Sequence, residues 1–134
     1  MTEKQYVKAS HYVAFLLEFS PATRMLLEKG KEQEWIGVDL DGTLAHYDEW
    51  KGETKIGKPI PAMVKRIKRW IKQGKRVKVF TARADSKKSI EAIKKWLRDC
   101  SLPALEVTNI KDPLMIELWD DRAVTVKRNT GKVK

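Results

Sequence analysis

The spacing of hydrophobic positions changes at Trp35, and that change divides the chain. Over residues 4–19 the apolar side chains Tyr6, Val7, Val13, Phe15, Leu16, Leu17 and Phe19 recur with a helical rather than an alternating pattern. Ser20 followed by Pro21 predicts an N-cap with proline at the first helical position. That second helix runs to about Lys29, where Gly30 stops it. A charged linker, 31–34, completes a helical leader over residues 1–34.

From Trp35 onward, short apolar runs alternate with amphipathic stretches. Residues 35–40 (WIGVDL) read as a central strand buried on both faces. Residues 61–74 set Met63, Val64, Ile67, Trp70 and Ile71 on one helical stripe that ends at Gly74. Residues 76–82 are a second strand. Residues 85–100 form a helix with Ile90, Ile93, Trp96 and Leu97 on its stripe, capped by Asp85 or Ser86. Further strands are predicted at 104–109, 115–121 and 123–126. Strands alternating with helices of this length imply right-handed crossovers. The expected fold of residues 35–134 is therefore α/β, a Rossmann-like three-layer α/β/α sandwich on a mainly parallel five-stranded sheet.

Composition narrows the setting. The single Cys100 has no partner for an internal disulfide, which suits a reduced, cytoplasmic protein. The apolar run at 12–17 is broken by Glu18 and is too short to cross a bilayer, so no membrane partner is expected. The net charge is +10 and it is unevenly placed. Residues 1–34 carry five basic and five acidic residues, whereas 51–78 carry eleven Lys/Arg against Glu53 alone. Such a field draws polyanions, nucleic acid or nucleotides among them, but it equally describes solvated helix faces.

Candidate chemistry gathers at one place in this topology. Ligands of open parallel sheets bind beyond the carboxyl ends of the strands. There the sequence sets Asp39 and Asp41 after the first strand, and Thr81 and Arg83 after the second. Thr108, Asn109 and Lys111 follow the third, and Asp120 and Asp121 the fourth. Carboxylates crowded in this way repel unless a cation lies among them, and hard oxygen donors favour Mg²⁺. With a lysine added, the site suits a phosphate dianion held on a metal.

Asp39-Leu40-Asp41-Gly42-Thr43 after a hydrophobic strand, Thr81 ending the next, Lys111, and the Asp120-Asp121 pair resemble the four motifs of the haloacid dehalogenase-like (HAD) phosphohydrolases. Order and strand placement both match, over residues 35–126. Two features depart from the common pattern: Lys111 lies only nine residues before Asp120, and only 17 residues separate Thr43 from Pro61, where many relatives insert a cap domain. The chain is similar to the small capless members of phage type. The resemblance implies a Mg²⁺-dependent phosphatase in which Asp39 is the nucleophile and Asp41 the general acid and base. Asp39, the backbone carbonyl of Asp41 and Asp120 would hold the metal, with Asp121 bound through water or orienting a ligand. Thr81 and the amides near Leu40 and Gly42 would bind phosphoryl oxygens, and Lys111 would neutralise developing charge.

Each residue also has a plainer reading. Thr81 serves as a capping hydroxyl, Lys111 as a surface lysine, and Asp121 as a partner of Arg122 or Arg83. Arg83 either reaches a substrate phosphate or pins the acidic loop. His46, Tyr47 and Trp50, in the short loop that replaces the cap, either stack a base or pack down. An open, capless site suits nucleotides, polynucleotide ends or phosphoproteins. The competing classes are a nucleic-acid-associated binding module with little turnover and a phosphotransferase. The leader is expected to pack on its own domain or to complete a homodimer.

Overall fold

The computed structural model describes residues 20–22 and 33–134. Pro21 and Ala22 are helical, as the Ser20-Pro21 start predicts, and the rest of the leader, with its expected packing or dimer role, lies outside the described residues. Four strands and two helices follow: β1 (Trp35–Val38), α1 (Pro61–Lys72), β2 (Arg76–Phe80), α2 (Lys87–Asp99), β3 (Glu106–Thr108) and β4 (Met115–Trp119). All strand pairs are parallel and the order is β3-β2-β1-β4, so the chain steps outward twice and then returns to the far side of β1. No described helix is long and apolar enough to cross a membrane.

Two periodicities meet in one core. On the sheet, Ile36 and Val38 align with Val77 and Val79, and the strand period of two turns all four to the same face. Ile67, Trp70 and Ile71 of α1 and Ile93 and Leu97 of α2 join those residues in a single buried cluster. Both helices therefore cover one face, as two right-handed crossovers in the same direction require. The opposite face shows Trp35, Lys78 and Glu106. There the Lys78 ammonium sits 4.4 Å over the Trp35 ring and pairs with Glu106 at 3.5 Å. Among the described residues the molecule thus has two layers, and the expected third layer is absent from them.

The expected fifth strand at 123–126 does not form. After β4 the chain leaves the sheet, and Val126 makes an isolated antiparallel bridge to Val133 instead. The alternating pattern at 123–126 is satisfied locally, by a hairpin that turns at Asn129 (φ 64°) and Gly131 (φ 72°). The helix ends follow sequence chemistry closely. Pro21-like logic recurs at Pro61, which opens α1, and Ser86 rather than Asp85 caps α2 by accepting a bond from the Ser89 amide at 3.1 Å.

Candidate phosphoryl-transfer site

β1 stops at Val38 because the chain then turns sharply. The Leu40 carbonyl accepts the amides of Thr43, Leu44 and Ala45 at 3.3, 3.0 and 2.8 Å, while the Gly42 amide bonds Ala45 O at 2.8 Å. The side chains of Leu40 and Leu44 are wholly buried, and they anchor the turn in the core. The expected use of the Gly42 amide for phosphoryl oxygens is therefore not available as it stands. The Leu40 amide bonds the Asp39 carboxylate. Among the described residues, the Asp41 amide and carbonyl have no hydrogen-bond partner.

Three carboxylates meet above the central strands. Asp39 extends β1 and donates its amide to Trp119 O of β4 at 2.9 Å, which sets it beside the residues that follow β4. Asp39, Asp120 and Asp121 each offer an oxygen within 4.8 Å of the others. Burial, then the charge of Asp120, then a hydrogen bond and the charge of Asp121 push the Asp39 carboxyl from 3.8 up to about 7. A cluster of hard oxygens that holds a proton near neutrality for want of positive charge fits a divalent cation of the Mg²⁺ kind.

Asp121 has a second function in the turn. It takes a bond from the Thr43 hydroxyl at 3.3 Å and returns one from its own amide to Thr43 Oγ1 at 3.0 Å. It pairs with neither Arg122 nor Arg83. Gly42 lies directly beneath it: φ is +89°, and a Cβ there would stand 2.5 Å from Asp121 Oδ2. Glycine is required here both by backbone conformation and by room. Thr43 belongs to the first motif, but its tie to Asp121 does not show in the sequence, because the two lie 78 residues apart and no local spacing reveals it.

Asp41 is held apart from the carboxylate cluster. Arg83 grips it in a fork, Nε to Oδ2 at 2.7 Å and Nη2 to Oδ1 at 3.0 Å. The same guanidinium donates to the carbonyls of Gly52, Glu53 and Lys55 at 3.2, 3.3 and 2.9 Å and lies 4.6 Å beneath the Trp50 ring. Of its two readings, the structure has Arg83 pinning Asp41 and the loop. Glu53 fastens that loop further by accepting from the hydroxyls of Ser86 and Ser89 at 3.3 and 3.2 Å, which sets an anion at the N-terminus of α2. His46, Tyr47, Lys51, Lys55 and Arg83 line a cleft of about 320 Å³ beside Asp41, with Tyr47 and Trp50 partly exposed.

The remaining candidates divide. Thr81 is buried at the end of β2; its amide bonds Thr108 O at 2.9 Å, and its hydroxyl accepts the Arg83 amide at 3.2 Å. It shapes the turn and keeps its own hydroxyl proton for another acceptor. Lys111 is exposed on the loop after β3, and its ammonium meets no described group. Its neighbour Asp112 is structural, accepting the Trp35 indole at 2.9 Å and the Leu114 amide at 2.8 Å, and the indole bond holds its carboxyl below the usual range.

No family model matches the chain, and no curated protein does. A solved structure, that of a conserved protein from Bacteroides thetaiotaomicron, superposes with a TM-score of 0.54 at 22% identity, over 69% of this chain and 78% of that one. Likeness at that identity is a likeness of fold, and the fold is a parallel α/β sheet of Rossmann-like kind.

Proposed function

We propose that the protein is a Mg²⁺-dependent phosphomonoester hydrolase of the haloacid dehalogenase-like kind, working through an aspartyl-phosphate on Asp39. The observation that carries this reading is the carboxylate cluster at the carboxyl edge of the sheet, with Asp39, Asp120 and Asp121 oxygens within 4.8 Å of one another. Asp39, Asp120 and the unbonded Asp41 carbonyl are the groups that would hold the ion. When bound, it supplies positive charge for the phosphoryl oxygens.

The chain's own residues provide the remaining steps. An Asp39 oxygen forms a bond to phosphorus as the ester oxygen departs with its electron pair. Asp41, aligned by Arg83, gives that oxygen a proton and then removes one from the water that attacks phosphorus, so phosphate leaves and Asp39 is restored. Each Asp41 oxygen keeps a lone pair for a proton beside its bond to Arg83. Thr81 has a hydroxyl proton to donate to a phosphoryl oxygen, and Lys111 is the residue assigned to neutralise developing charge.

A panel of phosphorylated compounds assayed with Mg²⁺ and with chelator tests the reading. Hydrolysis that requires the metal and is lost in Asp39→Asn supports it, and near-normal turnover by that variant refutes it. The fork on Asp41 and the outward Lys111 favour a second reading, a binding module with little turnover. Under that reading no ester on the panel is cleaved.

A further inference from the structure

From the structure we infer that the hairpin after the catalytic carboxylates is a nucleic-acid-binding arm, which selects single-stranded polynucleotides as the substrate class. For its catalytic half this rests on the phosphatase reading above; the binding half stands alone. The chain leaves the carboxyl edge of the sheet at Asp120-Asp121, and every residue from 121 to 134 is exposed. Residues 122–134 contain Arg122, Lys127, Arg128, Lys132 and Lys134 and no acid. None of these five side chains makes an ion pair among the described residues.

The arm is a built element. Lys127 N bonds Lys132 O at 2.7 Å, Lys134 N bonds Thr125 O at 2.8 Å, and Thr130 ties the turn through Lys127 O at 2.9 Å. With Val126 opposite Val133, the pleat divides the ribbon into two faces. Lys127, Lys132 and Lys134 share one face with Thr125. Val124, Val126 and Val133 share the other and are 68, 51 and 67% exposed. Lys132 and Lys134, at alternate positions, stand about 7 Å apart, the order of spacing between successive phosphates of a stretched single strand, and Lys127 lies directly across the ribbon from Lys132. The cationic face fits the phosphodiester backbone, and the valine face gives bases and sugars an apolar surface.

Position favours this arm over the basic helix as the guide to the site. α1 joins two parallel strands and so runs back from the carboxyl edge; its later cations Arg69 and Lys72 therefore lie toward the opposite edge. The arm begins one residue beyond Asp121. A strand held near the start of the arm would bring its terminal phosphate to the side of the sheet that carries the carboxylate cluster.

The test uses the full-length chain carrying Asp39→Asn, in chelator, with a fluorescent single-stranded oligonucleotide. Replacing Lys127, Arg128, Lys132 and Lys134 by Ala should lower affinity at least tenfold and flatten the log–log salt slope by about 3, at about 0.7 per lost phosphate contact. The same four changes in the otherwise wild-type chain should leave hydrolysis of a small aryl phosphate unaltered. Replacing Lys65, Lys68, Arg69 and Lys72 should weaken binding less. Undiminished affinity in the arm variant, no binding at low salt, or arm-dependent binding of anionic vesicles or of a second copy in place of the oligonucleotide would overturn the inference. A chain that binds the oligonucleotide through the arm but hydrolyses nothing refutes the phosphatase reading alone. One that cleaves small esters and ignores the oligonucleotide refutes the arm alone.

Discussion

At the scale of single residues, the site is a problem of charge. Asp39 titrates near 7 when folded and 3.8 otherwise, so the folded state holds the extra proton between those values. Its stabilising contribution is complete below about pH 4 and is lost as pH rises through 7. Metal-free protein should therefore melt at lower temperature at pH 8 than at pH 6, and Asp39→Asn should flatten that dependence; identical slopes in the two proteins would remove Asp39 as its source. For the same reason Mg²⁺ should bind more tightly as pH rises through 7, since binding displaces the proton. Asp120→Ala should weaken Mg²⁺ binding more than Asp121→Ala, because Asp121 is already bonded to Thr43; calorimetric titration with equal effects would contradict that order. The Asp39, Asp120 and Asp121 cluster was legible in the sequence because each acid ends a hydrophobic strand. For Arg83 the sequence left two readings open, because three of its acceptors are backbone carbonyls of a loop about 30 residues away, and no side-chain pattern announces them.

At the scale of elements, the loop between β1 and α1 is a fixed rim. Arg83 holds its carbonyls, Glu53 ties it to α2, and the Trp96 indole donates to Gly57 O at 2.8 Å. A Cβ on Gly57 would overlap the His46 carbonyl, which narrows the rim to glycine there. Arg83→Ala leaves Asp41 without its counterion and frees the loop. It should cost about 3 kcal/mol in chemical denaturation and expose 50–57 to protease, while Mg²⁺ binding persists; unchanged stability would mean the fork contributes nothing. The helices were readable from sequence because their stripes and caps are local. The stretch at 123–126 misled because β-branched alternation says that a strand is favoured and not which partner it takes. Val126 takes Val133, seven residues on, rather than the sheet.

At the scale of the whole molecule, an open site and an uneven positive charge belong together. A net charge of +10 opposes self-association and steers anions toward the chain from a distance. On the proposed reading, the carboxylate cluster supplies the local negative charge that a metal would offset before a phosphate approaches. The sheet order, with β1 central and β4 beside it, is what brings residues 39 and 120 together across 81 positions of sequence. On the proposed reading, Asp39 becomes phosphorylated during turnover. The most direct measurement is rapid acid quench of the protein with a phosphorus-labelled aryl phosphate and Mg²⁺. Label should be bound covalently to the wild-type chain within the first turnover, more of it in Asp41→Asn, where breakdown is slowed, and none in Asp39→Asn. Turnover by a chain that never carries label, or label retained in Asp39→Asn, would contradict it.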